Sequence, residues 1–261
     1  MFNWLLFVCL FVISVPGILI TVPGAINSMK ERIREATPEG KKLPSMAVIT
    51  ALGILQSSVF VLVASAVGTY VTPKIGLSAP FFSALVEGEN IVASLRPQIV
   101  PAVSLGIGGA LIFVAGYYFI ARPRLDTDTV ARMEGLRMDL GIWGRILYGG
   151  IAEEVLTRWG LLSFIAWIGM ILFDEMHLGI MWAAIIISGI LFGLGHLPSY
   201  IGAGCTKTPG FIAFMILFNL YASLIFGWLF WQYGLLAAMI AHMLFHLVWY
   251  PFDIKTVGKD F

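Results

Sequence analysis

Charge is what this chain has least of. Only 12% of its 261 residues are Asp, Glu, Lys or Arg, against about 25% in an ordinary soluble domain. With 59% apolar residues and a mean hydropathy of +0.91, a soluble globular fold is excluded and an integral membrane protein is implied. The net charge is +1, and the basic residues sit between apolar runs rather than on one face. That leaves no footprint for a nucleic acid. Cysteine is almost absent: Cys9 lies in an apolar run and Cys205 in a short polar segment, which argues against a disulfide framework. The soluble metalloprotease signature His-Glu-x-x-His is missing, as are low-complexity tracts, internal repeats and any separate soluble segment.

What is present is a series of apolar runs at 4–26, 46–72, 97–121, 149–173, 178–197, 210–231 and 234–250. Each is close to the roughly 20 residues that cross the hydrocarbon. The expectation is an all-α, polytopic helix bundle with seven spans, an eighth being conceivable only in the mixed segment 73–100. The first run lacks the basic n-region and short core of a signal peptide and reads as a retained span. Residues 138–148 alternate Asp139 and Arg145 with Leu, Ile and Trp, the pattern of a helix lying in the interface. Trp231, Tyr233, Trp249 and Tyr250 read as interface anchors. The chain divides into an N-terminal part, 1–137, with spans one to three and their basic loops, and a C-terminal part, 138–261.

Positive charge sets orientation. Loops 28–45 and 122–137 hold nine Lys/Arg, among them Lys30, Arg32, Arg34, Lys41, Lys42, Arg122 and Arg137. Alternating spans put both loops on one side, together with Lys207, Lys255 and Lys259. The predicted topology has the N-terminus outside and the C-terminus in the cytoplasm.

Three polar insertions interrupt the later spans: Glu153-Glu154-Val-Leu-Thr-Arg158, Phe192-Gly-Leu-Gly-His196 and His242-Met-Leu-Phe-His246. Ionisable groups at membrane depth are costly and mark functional sites. Topology places all three in the cytoplasmic half of the membrane, with Glu153 and Glu154 one to two turns into their span. His242 falls about two turns and His246 about one turn from the end of theirs. Glu154 and Arg158, four apart, share a helical face and can pair; Glu153 points about 100° away and stays free for a substrate or water. His242 and His246 present two imidazoles on one face. Phe192 is placed to pack beside His196, and Gly189 with Gly193 forms a small face that admits a neighbouring helix. Taken singly, Arg158 is as consistent with a structural charge partner as with chemistry, and a lone His196 with an interfacial histidine. His177 beside Asp174 and Glu175 reads as a solvated loop, and Asn219 as an interhelical hydrogen-bonding group.

In that order, and each on a membrane helix, Glu-Glu-x-x-x-Arg, Phe-x-x-x-His and His-x-x-x-(Asn) resemble the CPBP family. This family holds the type II CAAX prenyl endopeptidases and the Abi proteins linked to bacteriocin processing and immunity. The resemblance covers residues 140–250 and includes Gly-Leu-Leu after Trp159 and Tyr-Gly-Leu-Leu-Ala-Ala before His242. It implies peptide hydrolysis within the bilayer, acting on a membrane-tethered substrate such as a prenylated C-terminus or a leader peptide. Glu153 and His196 would hold and deprotonate a water, Glu154 with Arg158 would orient the site, and His242 with His246 would stabilise the oxyanion. The chain departs from the pattern at His246, where Asn is expected. An imidazole can still donate there, and it adds a possible metal ligand. Zinc held by His196, His242, His246 and Glu153 or Glu154 is therefore an alternative to the metal-free mechanism, which is the favoured one. A proton- or ion-coupled transporter would spread its ionisable groups over repeated halves, whereas these cluster in the second half. A silent immunity or scaffold relative would be expected to have lost more of the motif residues.

Overall fold

The computed structural model describes residues 2–35 and 43–257, and among them every regular element is a helix. In chain order these are α1 (Trp4–Ser28), α2 (Lys30–Glu35), α3 (Met46–Val71), α4 (Pro80–Glu87), α5 (Ile91–Gly116) and α6 (Thr127–Asp139). Then follow α7 (Gly141–Phe173), α8 (Leu178–Gly202), α9 (Pro209–Tyr233) and α10 (Leu235–Val257). Seven of them, α1, α3, α5 and α7–α10, are long and apolar enough to cross a membrane. Large apolar side chains such as Val100, Ile112, Phe119 and Leu172 point outward, 64–81% exposed, as a lipid-facing surface allows. The protein is an integral, multi-pass membrane protein.

Local chemistry starts these helices where they start. Asn3, Ser45, Asn90, Asp126 and Thr208 each accept a backbone N–H of the first turn through the side chain, replacing one of the partners a helix start lacks. Helix α10 has no such cap. Instead Gln98, fully buried on α5, accepts the N–H of Ala237 at 3.1 Å. Gly234 alone joins α9 to α10 at φ +104°, a conformation that costs a side chain dearly, so one glycine makes the reversal between two spans.

The bundle packs closely through small residues. There is no room for a Cβ at Gly17 against the backbone of Leu147 and Tyr148, or at Gly68 against Trp159. The small face expected on α8 behaves as such: a Cβ at Gly189 would lie 2.8 Å from Ser223 Cβ, and one at Gly193 2.9 Å from Ile216 Cα. Helices α8 and α9 thus meet almost backbone to backbone. One apolar core draws on α1 and α3 as well as on α7–α10, from Leu6 and Val61 to Trp159, Phe226 and Phe245. Cys9 and Cys205 are not joined in a disulfide.

Four expectations need correction. Residues 122–137 are not a loop: Asp126 caps α6, which buries Glu134 and Arg137 while Asp128 and Arg132 stay exposed. Residues 138–148 do not form a helix of their own; after Gly141 (φ +58°) they are the first turns of α7, because Asp253 neutralises Arg145 and lets it be buried. Span three begins at Ile91, six residues early, since Asn90 caps it and Pro97 and Pro101 are accommodated within the helix. Spans five and seven likewise run on through Pro198 and Pro251, to Gly202 and Val257. Lys41, Lys42 and Lys259, and the side chain of Arg32, lie outside the described residues.

Candidate active site

The earlier start of α7 and later end of α10 change the depth of the motifs. Glu153 sits 12 residues after Gly141, about three turns in, and His242 lies 15 residues, about four turns, before Val257. His196 is six residues before the end of α8. All three face a common cavity of about 580 Å3, whose wall includes Glu153, His196, His242 and His246.

Around the two glutamates α7 is not a regular α-helix. Residues Arg145–Ala152 and Val155–Leu162 wind as π-helix, and the Glu153 N–H donates to Tyr148 O, five residues back. Such widened turns occur mostly at functional sites. Here they flank the carboxylates, which separate into different surroundings.

Glu154 is fully buried. Its Oε1 lies 2.7 Å from His242 Nδ1 and 3.3 Å from Arg158 Nη1, so the expected ion pair forms and carries an imidazole with it. Arg158 is held further by Thr157 Oγ1 and by Ser223 Oγ at 3.1 Å, and its guanidinium lies 5.3 Å from the ring centres of both Phe192 and Phe226. Glu154 Oε2 has no hydrogen-bond partner. Glu154 and Arg158 are thus packed behind the site, away from the open cavity.

Glu153 and His196 occupy its front. The Glu153 side chain is 17% exposed and that of His196 28%, with Oε1 and Nε2 3.9 Å apart. That gap is too long for a hydrogen bond and is the kind that one water bridges. His196 Nδ1 lies 2.8 Å from Phe192 O. A carbonyl only accepts, so Nδ1 carries the proton and a neutral His196 turns a bare Nε2 towards Glu153. The Phe192 ring meets the imidazole edge-on at 4.5 Å, as its spacing predicts.

His242 and His246 stack on each other at 4.9 Å, and His242 stacks on Phe226 at 4.6 Å. Their Nε2 atoms converge on Gly149: a Cβ there would lie 2.5 Å from that of His246 and 3.5 Å from that of His242. His246 Nδ1 is buried without a partner. Gly149, Thr157, Ser223 and Phe226 were not singled out from sequence. The Gly149-Gly150 pair directly before the glutamates was the available signal for the first. Asn219 lines the cavity but donates to Met215 O on its own helix at 2.7 Å, rather than across helices.

The residues present do not fit a zinc site as arranged. Among the described residues no three His, Cys, Asp or Glu side chains gather closely enough to hold one ion.

Fold and site define a polytopic membrane protein in which one carboxylate, Glu153, and three imidazoles, from three helices, face one cavity. Within that class, residues 140–248 match the family model described as Type II CAAX prenyl endopeptidase Rce1-like, consistent with the CPBP resemblance. The matched stretch opens at the start of α7 and closes just beyond His246, so it takes in every motif residue, while α1–α6 lie outside it. No curated protein and no solved structure matches the chain.

Proposed function

We propose that the protein is an intramembrane endopeptidase of the CAAX type, cleaving a membrane-tethered peptide with a water activated by Glu153 and His196. The observation that carries this reading is the 3.9 Å gap between Glu153 Oε1 and His196 Nε2 at the cavity wall. Both atoms are acceptors, so a water between them donates one proton to each and directs a lone pair outward. Glu153 takes the proton as the water attacks the scissile carbonyl, then returns it to the leaving amine. The oxyanion is met from the opposite side by the Nε2 atoms of His246 and His242. A neutral His246 donates with its proton on Nε2. His242 donates once Nε2 is protonated, with Glu154 as counter-ion at Nδ1. Fixed donors in a site shielded from bulk water are the strongest single aid to acyl transfer.

Glu154 and Arg158 act as positioning residues: they aim His242 and touch no substrate. The substrate proposed is a prenylated C-terminal Cys-a-a-X segment, whose lipid tail would keep it in the membrane. The cytoplasmic placement of the C-terminus belongs to this proposal, because prenylated termini face that side. No metal is needed for these steps.

Incubating the purified protein in detergent with a farnesylated CAAX peptide, with and without a strong chelator, tests the reading. Release of the a-a-X tripeptide in both samples is expected. Cleavage lost to the chelator and restored by zinc would overturn the metal-free mechanism, and absence of cleavage would overturn the CAAX assignment.

A further inference from the structure

Beyond the catalytic groups, the same cavity is walled by a buried cluster of charge. Arg137 on α6 and Arg145 on α7 both line it, at 5% and 3% exposure, and both meet Asp253 of α10. Arg137 donates to Asp253 through Nε and Nη2 at 3.1 and 2.9 Å. Arg145 Nη1 is 2.8 Å from Asp253 Oδ2 without hydrogen-bond alignment, while its Nε and Nη2 donate to Arg137 O. Glu134 is engaged by Arg122 at 2.9 Å. Three guanidiniums therefore share two carboxylates. Asp139, at the exposed cavity rim, forms no ion pair with a described residue.

A cluster that only tied α6 to α10 would be expected to balance its charges. This one carries a formal surplus of one positive charge, and Arg137 Nη1 is buried without a hydrogen-bond acceptor. Leaving such donors unmet in the interior is costly. Tyr117 and Trp249 flank the Arg137 guanidinium at 4.8 and 4.5 Å and hold its plane. A planar, preorganised guanidinium suits a carboxylate.

Position matches as well. Arg145 precedes Glu153 by eight residues, at most about 12 Å along the helix at the regular α-helical rise and less through the wider π-helical turns. Three extended residues reach about 10–11 Å, which is the length of an a-a-X tripeptide from scissile bond to C-terminus.

We infer that Arg137, supported by Arg145, is a binding subsite for the free α-carboxylate at the C-terminus of the peptide substrate. The subsite rests on the endopeptidase reading for the identity of its ligand, and it explains why cleavage would fall at a fixed distance from the chain end. A terminal amide carries no charge to meet the surplus.

The test is binding rather than turnover. A farnesylated Cys-a-a-X peptide and its C-terminal amide are titrated against the full-length protein in a non-ionic detergent, where no anionic lipid competes. The wild type should bind the acid at least about tenfold more tightly, the ratio that ~1.4 kcal/mol represents. Arg137→Gln, in which Arg145 still neutralises Asp253, should show a preference below about twofold at an unchanged melting temperature. If that variant fails to fold, Arg137→Lys, which keeps the charge but not the fork, should lower the preference at least threefold. Equal affinity of the wild type for acid and amide, or full preference in the Arg137 variants, overturns the subsite. Cleavage measured in the same samples reports separately on the endopeptidase: an acid preference in binding without cleavage leaves the subsite and removes the protease.

Discussion

Glu154 Oε1 lies 2.7 Å from Nδ1 of His242, joining residues 88 positions apart in a fully buried contact. This bond links the first motif to the third. It makes the orientation of His242, and through ring stacking that of His246, depend on a carboxylate that itself depends on Arg158. The two adjacent glutamates are therefore unequal: Glu153 faces the cavity, and Glu154 stands behind the imidazoles.

Replacing Glu153 separates chemistry from folding. Glu153→Ala removes the proposed base from a partly open position and strands no partner. Cleavage should fall by about 10²–10⁴-fold, the usual contribution of a general base, with the melting temperature in detergent unchanged. Retention of full activity would remove Glu153 from the mechanism.

Arg158→Ala should behave differently. It leaves Glu154 buried without its cation, a change that costs about 3–5 kcal/mol, so the melting temperature should drop by roughly 10 °C. The double variant Glu154→Gln, Arg158→Met leaves no uncompensated charge and should recover most of the stability but not the activity. If the single variant melts like the wild type, the ion pair has no structural weight.

Gly149 is occupied by function rather than by a turn. Gly149→Ala would drive a methyl group into His246 Nε2, forcing the imidazole to move by a fraction of an ångström or more. Misplacement on that scale can cost up to about 10²-fold. We expect kcat to fall at least tenfold while the protein still inserts and melts normally. An unaffected kcat would show that the Nε2 atoms do not act at Gly149.

At position 246 the proposed mechanism needs a donor, and its identity matters less. His246→Asn should keep cleavage within about tenfold of wild type, whereas His246→Leu should lose about 10²–10³-fold, the measured worth of one oxyanion donor elsewhere. Equal loss in both would favour a role that only imidazole fills.

How much of this could be read beforehand follows from what a sequence exposes. The seven spans and the Glu154–Arg158 pairing were legible because hydropathy and helical spacing are local properties. So were the Phe192–His196 contact and the small face at Gly189 and Gly193. Helix α6 was not, since Glu134 and Arg137 look like solvated loop residues until Asp253, more than a hundred positions later, is known to neutralise Arg137. The same carboxylate hides the true start of α7, because an unpaired Arg145 would not be buried. The link from Glu154 to His242 is equally non-local. The π-helical turns around the glutamates have no marker in residue type.

The most direct test of the central claim compares wild type and Glu153→Gln on one farnesylated CAAX peptide, with products identified by mass spectrometry. The account predicts release of an intact a-a-X tripeptide by the wild type, and a rate at least about 10²-fold lower for Glu153→Gln in a protein of unchanged stability. Equal rates of tripeptide release from the two proteins would contradict it.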